Sequence, residues 1–106
     1  MSALAMVGEA ELLAQARGHD RAARDAAFTA LANRVTPRLI SLCANMLGSA
    51  NDAHDVVQEV LALAYKALPL FRSDAKFSTW VFRIAVREAI HHRAKHQRSV
   101  PMTDDR

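Results

Sequence analysis

Apolar residues recur every three or four positions along almost the whole chain, and that spacing matches one face of an α-helix again and again. Leu12, Leu13 and Ala16 open the pattern, and Ala23, Ala27, Phe28, Leu31 and Val35 continue it. Leu39, Ile40, Leu42, Cys43, Met46 and Leu47 prolong the same run. A further stripe consists of Val56, Val57, Val60, Leu61, Ala64 and Leu68, and a last one of Trp80, Val81, Ile84, Ala85, Ala89 and Ile90. With only three Gly and three Pro, and an apolar fraction rich in Ala and Leu, the composition favours helix over sheet. The expected fold class is all-α: a compact bundle of about four helices, in one domain, because 106 residues bury one modest core.

Local signals divide the pattern. A first helix is expected over Glu9 to Arg17, with Gly18 as its C-terminal cap, and Asp20 can cap a second. Pro37 has no amide hydrogen and disfavours helical backbone before it, which predicts a kink or break near Arg34 to Thr36. Gly48 ends that run, Asn51 or Asp52 caps the third helix, and Pro69 stops it. Ser78 or Thr79 can cap the fourth. The pattern dies after Arg98, so the domain is assigned to 1–98 and residues 99–106 read as a linker or frayed tail.

Charge separates the last two helices. The third carries Asp52, Asp55 and Glu59 with no Lys or Arg before Lys66. From Arg72 to Arg98, by contrast, seven Lys and Arg meet only Asp74 and Glu88, although the whole chain has a formal charge of just +3. One helix suits a basic partner, the other a polyanion. Arg83, Arg87, His91 and Lys95 fall four apart and are expected on one stripe. Between the helices, Phe71, Phe77 and Trp80 lie among Arg72, Asp74, Lys76, Ser78 and Thr79. Single-stranded nucleic acid needs that mixture: rings for bases, cations for phosphates and polar groups for base edges. The competing reading makes all three rings core. Phe71 sits outside the helical stripe and is the ring expected to be free, with Trp80 expected to hold the scaffold.

Other chemistries find little support. Cys43 is alone, which rules out a disulfide within the chain, suits a reducing cytoplasm, and predicts packing as a small apolar residue. His92 and His96 stand four apart, as metal ligands on a helix can, yet no third ligand has matching spacing, so no metal or cofactor is expected. No Gly-rich phosphate loop, nucleophile elbow or paired-carboxylate motif is found, and no catalytic residue is assigned. No apolar run reaches the length of a membrane span, so the expectation is a soluble intracellular protein without membrane insertion.

The run from Asn51 to Val86 resembles the central part of the sigma-2 domain of extracytoplasmic-function (group 4) RNA polymerase sigma factors. The resemblance is carried by Asp52-Ala53-His54-Asp55-Val56-Val57-Gln58-Glu59-Val60-Leu61 on one helix. It continues through Ala67-Leu68, Phe71-Arg72, Asp74, Phe77 and Thr79-Trp80 to Arg83-Ile84-Ala85. A weaker match at Asp25-Ala26-Ala27-Phe28 and Pro37-Arg38-Leu39 extends it upstream. Two positions depart from the family pattern: Arg87 stands where Asn is usual, and His91 where many relatives have Asp.

The resemblance implies the promoter-recognition domain of an alternative sigma factor, acting in transcription initiation. Asp52, Asp55, Gln58 and Glu59 would bind core RNA polymerase through the clamp helices of its largest subunit, where carboxylates meet Arg in charge-assisted hydrogen bonds. Asp52 also remains a candidate cap. The loop would capture an extruded base of the melted minus-ten element on the non-template strand, with Phe71 as wall and Asp74, Ala75 and Lys76 as edge readers. Arg72, Phe77, Ser78, Thr79, Arg83, Arg87 and His91 complete the expected DNA surface. An anti-sigma factor is a further expected partner. The alternative is a sigma-like regulatory module that binds an anti-sigma factor without productive DNA contact. Complete relatives add a sigma-4 domain, which nothing after Arg98 could form, so the chain is expected to be an excised domain or a shortened relative.

Overall fold

Asp20 and Gly48 delimit the longest element. The Asp20 carboxylate accepts a hydrogen bond from the Ala22 amide at 3.1 Å, and Gly48, at φ 70°, closes the far end in the left-handed conformation that glycine adopts without strain. Everything between them is one helix, Arg21–Leu47, in the computed structural model, which describes residues 3–72 and 74–99 and their side chains except at 3, 5, 98 and 99. The break expected at Pro37 does not occur. Proline there removes the bond to the Asn33 carbonyl, but Asn33 and Pro37 are both exposed, so water can satisfy that group. Thr36 adds a side-chain bond to the Ala32 carbonyl at 2.7 Å.

The helices are α1 (Glu9–Ala16), α2 (Arg21–Leu47), α3 (Ala50–Ala67) and α4 (Phe77–Ser99), with a 3-10 turn at Ala3–Met6 and another at Leu68–Leu70. The described residues contain no strand, and the all-α bundle expected from the periodicity is the architecture observed. Three caps differ from expectation. Arg17 terminates α1, and Gly18 has no positive φ. Ser49 caps α3 by accepting from the Asp52 amide at 3.1 Å, so Asn51 and Asp52 lie inside the first turn. Ser78 and Thr79 likewise fall inside the first turn of α4, and the Phe77 amide instead donates to the Glu9 carboxylate at 3.2 Å. Of the tail expected at 99–106, Ser99 closes α4 and the rest lies outside the described residues.

The predicted stripes form the core. Leu12 and Leu13 of α1, Ala27, Leu31, Val35, Leu39 and Cys43 of α2, Val56, Val57, Val60 and Ala64 of α3, and Val81, Ile84, Ala85 and Ala89 of α4 are all buried. Burial pushes the Cys43 thiol above its ordinary pKa, as suits a packed apolar residue. Ala23, placed in the stripe of α2, is exposed, and Ile90, expected inward, is 56% exposed. Across helices, Arg34 donates to the carbonyls of Leu4 and Val7, and Tyr65 donates to Asp25 at 2.5 Å. The first of these contacts fastens the N-terminal turn to α2.

Phe71 overturns the expectation that it stands free. Pro69 ends α3 and the chain folds through the Leu68–Leu70 turn, closed by the Phe71 amide on the Leu68 carbonyl at 3.0 Å. Leu70 is thereby left 84% exposed, whereas Phe71 is only 2% exposed. Its ring lies 4.9 Å from Trp80 and 6.3 Å edge-to-face from Phe77, and Phe77 in turn meets Phe28 of α2 at 6.1 Å. Trp80 is half-buried. Large-to-small changes in a core combine lost transfer energy with a cavity, so Phe71→Ala and Phe77→Ala should each lower stability by about 3–5 kcal/mol. Trp80→Ala should cost less than either. Urea titration followed by circular dichroism measures all three, and a larger loss for Trp80→Ala would show that the ring order is wrong.

Candidate functional site

Two surfaces collect the residues singled out by charge. The first is the outer face of α3. Val56, Val57 and Val60 point into the core, which turns Asp55, Gln58 and Glu59 to solvent without a cation between them. Asp52 is half-buried and differs from the other three: its carboxylate is 4.0 Å from the His92 imidazole of α4. That contact ties the start of α3 to the distal half of α4.

The second surface begins in the loop between α3 and α4. Arg72, Asp74, Ala75 and Lys76 are exposed, and Arg72 lies 3.8 Å from Asp74 as a solvated pair. A pair so exposed contributes little to stability and leaves both groups able to engage a ligand. Beneath the loop, Phe71 and Phe77 are buried, so neither offers a ring face to solvent. Thr79 is exposed and Ser78 half-buried in the first turn of α4. Of the three rings singled out around the loop, Trp80 is the accessible one, and it lines an open groove of about 780 Å³ with Leu42 of α2 and Thr79, Phe82, Arg83, Val86, Arg87 and Ile90 of α4. Arg38 sits over the Phe82 ring at 5.3 Å, at the side of the groove that α2 forms.

Arg83, Arg87, His91 and Lys95 do not share one surface. Four helical residues exceed a full turn by about 40°, so a run spaced at four winds around the helix. Arg83 and Arg87 flank Trp80 in the groove. His91 and Lys95 instead line a cleft with Glu59, Leu63 and Lys66 of α3 and with Glu88 and His92. His91 therefore lies at the edge of the Arg83 and Arg87 face, turned about 40° from Arg87 toward the acidic helix. Among the described residues no three His, Cys, Asp or Glu side chains are arranged to hold a metal ion, and no helix is long and apolar enough to cross a membrane.

Three residues escaped sequence reasoning. Leu42 and Val86 fill predicted apolar stripes or border them, and only the relative rotation of α2 and α4 shows that they wall a groove. Glu9 gave no local sign of its role, because its partner, the Phe77 amide, lies 68 positions away.

Comparisons with known proteins agree with this geometry. Residues 31–99 match the family described as Sigma-70 region 2. Over 78 residues, 74% of the chain, it is 36% identical to the RNA polymerase sigma-H factor of Pseudomonas aeruginosa and 40% identical to the ECF RNA polymerase sigma-E factor of Escherichia coli strain K12. The matched segment covers 40% of each of those relatives, so the chain corresponds to a part of them. Among solved structures, an engineered region 2 of sigmaE in complex with GTAAAA aligns with a TM-score of 0.74 at 30% identity, covering 96% of this chain and all of that one. The helix order and these matches together place the chain in the Sigma-70 region 2 family.

Proposed function

We propose that the chain is the promoter-recognition domain of an alternative, extracytoplasmic-function sigma factor, holding RNA polymerase with α3 and the melted minus-ten element with the loop and α4. The observation that carries this reading is its likeness, along almost its whole length, to a sigmaE region 2 whose structure is a complex with GTAAAA. Such a domain works in the cytoplasm and needs no reaction of its own.

Asp55, Gln58 and Glu59 act as acceptors for the Arg-bearing clamp helices of the largest polymerase subunit, with Asp52 at the edge of that surface. Carboxylate and guanidinium pair through short, charge-assisted bonds, and Gln58 supplies both a donor and an acceptor. Arg72 holds a phosphate of the non-template strand. Asp74, Ala75 and Lys76 read the edge of an extruded base through backbone or side-chain groups, while Phe71 supports the loop from beneath and Phe77 and Ser78 fix its junction with α4. Thr79, Arg83 and Arg87 carry the strand along the groove beside Trp80. His91 meets the strand only beyond that groove, on the side shared with Glu59. An anti-sigma factor would regulate the domain by covering one of these surfaces.

Binding to single-stranded oligonucleotides tests the proposal directly. A panel with every single-base variant of GTAAAA should show sequence-dependent affinity, whereas affinity that depends on salt alone would favour a regulatory module without base readout.

Reversing charge on α3 should separate the two surfaces. Asp55→Lys with Glu59→Lys should weaken binding to a clamp-helix fragment by about 2 kcal/mol or more, as reversal of interfacial charge pairs does, without lowering helix content. Unchanged affinity in isothermal titration would reject α3 as the polymerase anchor.

Arg87 should alter base choice. Arginine suits the paired acceptors of guanine, and asparagine the donor and acceptor edge of adenine. Arg87→Asn should shift the preferred base at one position of the panel by about 1–3 kcal/mol. A uniform loss across the panel, with a shallower salt dependence, would show that Arg87 holds only a phosphate.

A further inference from the structure

The first amides of α4 point into the loop that the proposed function uses for base capture, and they have no partners within their own helix. A helix ordinarily draws its cap from the residue just before it. Here the Phe77 amide donates to a carboxylate oxygen of Glu9, at 3.2 Å and from the opposite end of the sequence. A negative group at that place also complements the helix dipole.

Glu9 is itself firmly placed. Leu12 and Leu13 anchor α1 in the core, and Arg34 clamps the turn before it through the carbonyls of Leu4 and Val7. Ala75 of the loop lines an open recess together with Glu9, Ala10, Leu13 and Arg17. The junction of the loop with α4 is therefore tied to α1 through Phe77, beside that recess. Glu9 precedes the segment at 31–99 that matches the family.

We infer that Glu9 is a positioning residue for strand capture: by capping α4 it fixes the height and orientation of Asp74, Ala75 and Lys76 just before that helix, so that base readout depends on a side chain that touches no base. This rests on the functional reading above. Removing the cap leaves the α4 amides to water and frees the loop to sample other arrangements, of which only some present Asp74 and Lys76 to a base. Contacts to phosphate tolerate such displacement, whereas contacts to a base edge do not.

Glu9→Ala and Glu9→Gln, made in the full chain and compared below their melting temperatures, test this. Two quantities are read: hydrogen exchange of the Phe77 amide by NMR, and affinity for the best-bound oligonucleotide of the panel and for its scrambled counterpart. Glu9→Ala should speed exchange at Phe77 and weaken the specific oligonucleotide by about 2- to 30-fold, the range that a lost cap spans, with the scrambled one little changed. Glu9→Gln keeps an oxygen that can accept the same bond and should recover most of both effects. Unchanged exchange at Phe77 in Glu9→Ala overturns the proposal whatever the oligonucleotides do. Equal losses on both oligonucleotides, or failure of Glu9→Gln to rescue, overturn it as well, since a general loss of stability would act in that way. If the unaltered chain does not distinguish the two oligonucleotides, the functional reading fails and this inference with it, a result separable from the others because it needs no variant.

Discussion

The contact among Phe28, Phe71, Phe77 and Trp80 is what the rest of the molecule depends on. It joins α2, the loop and the start of α4, so the orientation of the basic helix and the path of the loop are set together. Burying a ring of this size contributes about 1.5–3 kcal/mol, and edge-to-face contacts add about 0.5–1.5 kcal/mol per pair. Phe71 and Phe77 are therefore committed to holding the loop. Their neighbours Arg72, Asp74, Ala75 and Lys76 are left exposed beside that buried base.

The same packing distributes charge. Turning the Val56, Val57 and Val60 stripe of α3 inward leaves Asp55, Gln58 and Glu59 outward, and turning Val81, Ile84 and Ala85 of α4 inward leaves Arg83 and Arg87 beside Trp80. Opposite charges thus gather on the exposed faces of two different, neighbouring helices. The separation weakens toward the end of α4, where helical winding carries His91 and Lys95 round to Glu59 and sets His92 near Asp52. One end of α4 can meet a polyanion while the other braces the acidic helix.

Much of this was legible in the sequence. Periodicity identified the helical class and nearly every core residue, Asp20 and Gly48 were recognisable caps, and the residues of the Asp52–Leu61 and Phe71–Ala85 runs pointed to the family. Long-range features were less legible. Phe71 lies outside any helical stripe, and only the turn at Leu68–Leu70 folds its ring into the core. Pro37 carries a strong local signal for a break, which exposure of Asn33 and the packing of Val35 and Leu39 on either side override. Position counting also placed His91 with Arg83, because a four-residue spacing looks like one face until the drift of about 40° per step is accumulated. The cap from Glu9 to Phe77 joins distant segments, and no local pattern announces it.

The central claim is that two partners use separate surfaces, one on α3 and the other on the loop and the first half of α4, and a ternary binding experiment followed by amide NMR tests it most directly. A clamp-helix fragment and a single-stranded minus-ten oligonucleotide are added separately and then together. The account predicts that the fragment perturbs Asp55, Gln58 and Glu59, that the oligonucleotide perturbs Arg72 to Lys76 together with Thr79, Arg83 and Arg87, and that both sets persist in a ternary complex. Mutual displacement, or perturbation of the same residues by both ligands, would contradict it.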